Sequence, residues 1–243
     1  MNLAVALYLN NGVAPFDNQL VRQALCWAID VDEVMAFATG GQGVKIGSSM
    51  FPNFTKYFDP SLADHYGYDV EKAKELLAEA GYPDGFSFTI TYASEYEHPY
   101  GDMAAVIQQR LAEVGITVGL EPIEWASWYT DVYQGREFES TLVGFDTSVL
   151  TASGMLQRWT SNADKNMINY SNADYDAPFA AAQASQDDAE QTELYKRCVE
   201  MLSDTAANVY IQDLAEYVVI HPSLEGYEFY PLYILDMSTV RYT

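Results

Sequence analysis

The chain has 243 residues, 49% of them apolar, and sets 12 Lys and Arg against 35 Asp and Glu for a formal net charge of −23. That charge repels phosphate backbones, and no basic patch offsets it, which argues against nucleic-acid binding and against docking on anionic lipid by charge. No apolar run approaches the ~20 residues of a membrane-spanning helix. With 49% apolar and 19% charged residues, the chain is neither an acidic tail nor a coiled coil.

Residues 3–9 alternate as a strand and precede a turn at Asn10–Asn11–Gly12. The N-terminus has no basic segment ahead of an apolar block, so it does not read as a signal peptide. Asp17 and Asn18 offer cap oxygens before an apolar stripe at Val21, Ala24, Leu25 and Ala28. The pattern predicts one helix running to Thr39 and ending at Gly40–Gly43. Residues 44–68 show little periodicity and read as a long loop with one short strand. Two units then share a grammar. Asp69 caps EKAKELLAEAG, Gly81 fits the left-handed position beyond its end, and a strand follows over 86–92. DMAAVIQQRLAEVG ends at Gly115, and a strand follows over 116–123. The similarity reads more simply as two helix-to-strand exits of an α/β layer than as a repeat. A helix is expected over 126–135 and a strand over 139–145. Helices follow over 174–186 and 189–206, the second with Leu194, Cys198, Met201, Leu202 and Thr205 on one face. Short β segments are expected over 208–220 and 227–235. Alternating helices and strands imply an α/β sheet, part parallel.

The search for chemistry is mostly negative. There is no G-x-S-x-G elbow. GGQGVKIG follows a helix and lacks the Ser or Thr after Lys45, so it is no phosphate loop. Asn162-x-Asp164-x-Asn166 opens like a calcium loop but has Ala173 at the twelfth position. His65, His98 and His221 are scattered, and Cys26 and Cys198 lack C-x-x-C partners, so no metal site or cofactor is expected. The two cysteines read either as buried thiols or as one long bridge. Glu95 and Glu97, two apart after a strand, could face one cleft as a carboxylate pair. Aromatics gather where strands should end: Tyr92, Tyr96 and Tyr100; Trp125, Trp128 and Tyr129; Phe145. Ligand clefts of α/β sheets form at such ends.

Taken in order, PFDNQLVRQALCWAID, GGQG, YDVEKAKELLAEAGYPDGF, AAVIQQRLAEVGITV, EPIEWASWY, LVGF, NYSNADYDAPF and ELYKRCVEMLSDTAANVYI resemble the C-terminal half of a known family. That family is the extracytoplasmic solute-binding proteins of ABC importers, in the branch that takes dipeptides, oligopeptides and nickel complexes (family 5). The resemblance covers nearly the whole chain. It implies a type II periplasmic-binding-protein-like lobe: a mixed, mostly parallel sheet flanked by helices. It implies a binding protein and not an enzyme, acting outside the cytoplasm in the periplasm or as a surface lipoprotein. Its partners would be a peptide or small solute, a membrane permease and a first lobe that is missing here along with the export signal. A monomer is expected. Residues 1–215 would form the lobe, and 216–243 would hold strands that return to the first lobe.

The resemblance also implies ligand residues. The aromatic after the strand glycine lines the cleft in peptide-binding members; here that is Phe145, after Gly144. An aspartate of a following D-P stretch anchors the peptide amine. Here only Asp146, followed by Thr147, stands nearby, and its register is early. Dipeptide binders use an arginine in the loop that here reads ASEYEHPYGD, which has none. A zwitterionic dipeptide would lose a contact typically worth ~1.5–3 kcal/mol. A longer peptide, a cationic peptide or a non-peptide solute is therefore expected, with Glu95 and Glu97 suiting a cation. Tyr96, Trp125, Trp128 and Asn10, at the end of the first strand, complete the candidates. Two other classes remain in view: an acidic hydrolase using Glu95 and Glu97, and a surface interaction module using exposed aromatics.

Overall fold

A computed structural model describes residues 3–146, 151–230 and 236–243. Strand β1 (Ala4–Leu9) is buried along its whole length, because its two faces enter two different cores. Val5, Leu7 and Leu9 pack on one side with helices α1 (Gln19–Ala28), α2 (Val31–Thr39), α3 (Val70–Glu79) and α4 (Asp102–Ala112). Ala4, Ala6 and Tyr8 pack on the other with α6 (Ala152–Leu156), α7 (Ala173–Ala184) and α8 (Asp188–Asp204). A strand alternates its side chains between faces, so a sheet covered twice needs apolar residues at every position.

The other sheet strands are β2 (Val44–Lys45), β3 (Ser87–Ala93), β4 (Thr117–Ile123), β5 (Ser140–Phe145) and β6 (Asn208–Asp213). Their order is β2-β6-β1-β5-β3-β4. The edges β3–β4 and β3–β5 are parallel, and β1 runs antiparallel to both β5 and β6. Four strands, β3 to β6, therefore point one way, with β1 and β2 against them. This is the mixed sheet, mostly of one direction and flanked by helices, that the resemblance implies.

The two similar units are successive α/β steps: α3 leads into β3, and α4 leads into β4 beside it. Asp69 caps α3 by accepting from the Lys72 backbone N at 2.9 Å. Gly81 and Gly115 hold φ of +92° and +84°, the left-handed conformation that glycine adopts without strain.

Three predicted elements differ. The single helix to Thr39 is two helices. Ile29 is extended, and Asp30 restarts the chain as the cap of α2, accepting from Glu33 N at 3.1 Å. An Asp followed by acidic residues in the first turn competes well with helix continuation. The strand expected over 208–220 stops at Asp213, which pairs with Ala4 where β1 begins, and one further bond runs from Leu214 N to Leu3 O. In the tail, the strand pair is β7 (Leu224–Glu225) with β8 (Arg241–Tyr242). The segment expected over 227–235 is not a strand in its described part, and 231–235 lie outside the described residues.

Cys26 and Cys198 are buried free thiols. Burial pushes each up to about 12, which leaves them unreactive packing groups.

Candidate functional site

The register sets the site. Ala93 pairs with Ile123, Thr91 with Thr141, and Phe145 with Ala4. The loops after β3 and β4 and the end of β5 thus open at one end of the sheet, where β1 begins. Short helix α5 (Trp125–Ser127) and a π-helical segment over Trp128–Gln134 follow β4 there. Aromatic rings make a continuous path across this end. Tyr96 meets Trp125 at 5.8 Å between ring centres, and Trp125 stacks on Trp128 at 5.1 Å. Trp128 stacks on Tyr133 at 6.2 Å, and Tyr133 meets Phe145 at 5.9 Å. Phe145 meets Tyr8 edge-on at 5.0 Å, and Tyr8 stacks on Trp159 at 5.8 Å.

The last part of that path walls an open cleft of about 470 Å3, whose lining includes Tyr8, Ser49, Phe145, Asp146, Arg158 and Trp159. A cleft of this size fits a ligand of several residues or a cofactor-sized solute. Its floor is rigid. Tyr8 Oη donates to Ala4 O at 3.2 Å, and burial holds its hydroxyl far above the usual range, with the Arg158 charge offsetting part of the shift. Tyr100 Oη accepts from Gly144 N at 3.0 Å, which pins the strand just before Phe145.

The expected residues separate in this geometry. Phe145 and Asp146 line the cleft; Thr147 lies outside the described residues. Trp125 and Tyr96 do not line it; they lie further along the ring path, 41% and 45% exposed, and offer an aromatic shoulder. Trp128 does not reach solvent. It is 2% exposed, and its Nε1 donates to Thr141 Oγ1 at 2.9 Å, so it supports the shoulder from beneath.

Glu95 is exposed but engaged: both of its carboxylate oxygens accept from Trp125 N at 3.1 Å. Those hydrogen bonds hold the Glu95 carboxyl below its ordinary range. Glu95 therefore orients the Trp125 turn, while Glu124 caps the same turn through Ala126 N and Ser127 N. Glu97 faces Tyr92, whose hydroxyl is pushed up to about 12 by burial first and by the hydrogen bond to Glu97 second. The two carboxylates are not a free pair.

Asn10 is at the wrong end. Leu9 pairs with Ser140, where β5 starts, so the residue after it lies a full strand length from Phe145. It is 1% exposed, and its amide donates to Arg136 O and Phe138 O at 3.2 and 2.9 Å. Its Oδ1 accepts from Gly12 N and Asn169 Nδ2. Asn10 is a structural clasp.

Most of the lining was missed, including Tyr8, Ser49, Arg158 and Trp159. Tyr8 was legible: even positions of β1 face the side that carries Phe145. Ser49, Arg158 and Trp159 come from irregular segments, and only the rarity of an Arg-Trp pair in so acidic a chain marked the latter two. Among the described residues, no group of three His, Cys, Asp or Glu is placed to hold a metal ion.

Comparison with known proteins agrees with this architecture. The dipeptide-binding protein of Escherichia coli is 29% identical over 227 residues, 90% of this chain and 42% of its own length. Heme-binding protein A of Haemophilus influenzae is 29% identical over 233 residues, 93% of this chain and 42% of its own. The ABC transporter-associated periplasmic binding protein DppA of Helicobacter pylori, solved with the peptide STSA, superposes with a TM-score of 0.84 at 27% identity, over 99% of this chain and 47% of that one. The chain thus spans less than half the length of each. The profile of the bacterial extracellular solute-binding proteins, family 5 Middle, matches residues 2–167, from β1 through both α/β steps to the cleft wall. Strands β1 to β5, the aromatic end and the cleft lining lie within that match, and the chain belongs to the family 5 extracellular solute-binding proteins.

Proposed function

We propose that the chain is one lobe of the substrate-binding component of an ABC importer, and that it captures peptides in the cleft beside Phe145. The observation that carries this is the cleft itself: an open, aromatic-walled groove at the carboxyl ends of parallel strands, with two charged residues of each sign on its wall. Such a surface suits an extended ligand whose side chains vary, because aromatic faces pack against many shapes. Peptide binding by the Escherichia coli and Helicobacter pylori relatives points the same way. Half a cleft supplies half the contacts. A second lobe would close over the ligand, and the closed form would be what a permease recognises.

The tail supports a second lobe. Tyr217, Val219 and Phe229 are 67%, 97% and 58% exposed, an apolar display that fits a segment packing on another body. We assign residues 216–243 to that role. The work is binding and not catalysis, since Glu95 is held by a backbone amide and stands in no pair. The place of action is outside the cytoplasm, as for the family.

The test is mass spectrometry of small molecules released from the native protein after gentle purification. A mixture of short peptides is the expected result. A single non-peptide solute would keep solute capture and remove peptides. An empty cleft, with no thermal shift against any peptide, would remove the reading.

A further inference from the structure

Buried polar side-chain atoms are nearly always hydrogen-bonded, so each exception calls for an explanation, such as a water, an ion or a ligand. Among the described residues five such atoms lack a partner: Asn11 Oδ1, Ser49 Oγ, Arg158 Nη1, Trp159 Nε1 and Ser203 Oγ. Three of the five, on Ser49, Arg158 and Trp159, belong to residues that line the one cleft beside Phe145. All three can donate: a hydroxyl, a guanidinium N–H and an indole N–H.

Arg158 stands out further. The other half-buried cations are engaged: Arg22 donates to three carbonyls, Lys45 pairs with Asp32 and Asp64, and Arg110 pairs with Glu33 and Glu113. Arg136 bonds Asn169 and the Asp164 carbonyl, and Lys196 pairs with Glu193. Arg158 has no ion pair and no hydrogen bond among the described residues, in a chain of net charge −23 where carboxylates are abundant. Its guanidinium lies over the Phe145 ring, with Cζ 4.1 Å from the ring centre, and 5.8 Å from the Trp159 ring. The cation over the ring is held there while its Nη1 stays buried without an acceptor.

We propose that Arg158, held over Phe145 and sharing the cleft lining with Ser49 and Trp159, binds a carboxylate group of the ligand. This inference rests on the solute-binding reading. A planar, two-oxygen acceptor matches the edge of a guanidinium, and a carboxylate carries one charge. Asp146, Asp164 and Lys165 share the wall with Arg158, so a carboxylate on a molecule that also bears an ammonium group would find both signs there. The arginine absent from the loop after β3 thus has a counterpart from a different segment, between α6 and α7. A ligand with a free carboxylate is readmitted.

The experiment uses the 243-residue chain labelled with 15N-tryptophan, because indole signals report weak binding. The probes are trialanine, trialanine amide, acetate and inorganic phosphate. Trialanine and acetate should move the Trp159 indole signal saturably, with trialanine amide at least tenfold weaker. Arg158→Gln should weaken trialanine at least tenfold and leave the amide unchanged. The Trp128 indole, bonded to Thr141, should stay fixed throughout and so report that the variant is folded. Equal response to trialanine and its amide overturns carboxylate recognition and leaves solute binding standing; that arm needs no variant. Phosphate acting as well as acetate overturns the carboxylate assignment in favour of a general anion pocket. Acetate moving Trp159 while neither peptide moves any tryptophan supports the carboxylate site and overturns peptide capture. No response from any tryptophan overturns both.

Discussion

At one end of the sheet Asn10 and Arg22 close the structure; at the other, Arg158 leaves it open. Asn10 meets four partners from three segments of chain, and Arg22 donates to the carbonyls of Phe16, Thr205 and Ala206. Asn11 Oδ1 and Ser203 Oγ go unmatched there, while Asn11 Nδ2 donates to Leu9 O and Ala207 O. At the far end Ser49, Arg158 and Trp159 keep donors without acceptors beside an open cleft. The same residue types serve both ends. What differs is whether the fold itself supplies the partner. A buried polar group whose partner is internal stabilises the fold, and one whose partner is missing costs free energy until a ligand provides it. The contrast separates residues that build the lobe from residues that read its ligand.

Stability measurements should divide along that line. Asn10→Ala strands two carbonyls, an N–H and the Asn169 amide in a buried place, and should cost about 3 kcal/mol in urea unfolding. Cleft binding should be unchanged; a loss below about 1 kcal/mol would mean the sealed end is not sealed. Trp128→Phe removes one buried hydrogen bond to Thr141 and shrinks a buried indole to a single ring, and should cost about 2 kcal/mol. It should not change ligand affinity, since Trp128 touches only the underside of the aromatic shoulder. Arg158→Gln should change stability by less than about 1 kcal/mol, because lost stacking on Phe145 is offset by relief of an unpartnered buried N–H. A large destabilisation would move Arg158 to the structural side of the comparison.

The smallest effect concerns pH. Glu95 has its carboxyl lowered from 4.5 chiefly by the Trp125 backbone N–H, so its contribution is present above about 4.5 and fades as pH falls through the lower folded value. The Trp125 backbone amide signal, followed by NMR against pH, should titrate in that window. Glu95→Gln should abolish the titration. A Trp125 amide that ignores pH would detach Glu95 from the shoulder.

Local patterning was legible wherever a segment settles its own conformation. Asp69 and Gly81 bracket α3 in the sequence as they do in space, because a cap oxygen and a left-handed glycine act within four residues of their targets. The break at Asp30 was hidden because an apolar stripe spans it, and stripes do not show where a cap will compete. The path to Phe145 followed from a glycine-aromatic pair at a strand end. Trp128 and Asn10 misled, since a residue type at the right kind of position says nothing of which side of a wall, or which end of a sheet, it occupies.

By itself the amino-acid sequence determined the helices and strands, the acidic surface, the family and the aromatic character of one sheet end. These depend on residue type and on periods of two and 3.6. Only the tertiary structure decided which groups go without partners. Ser49, Phe145 and Arg158 are about a hundred residues apart at their extremes, and whether a donor finds an acceptor across such a separation depends on the packing of the whole sheet. The binding chemistry of the cleft is a property of that packing, because a lone arginine is defined by what the fold fails to place beside it.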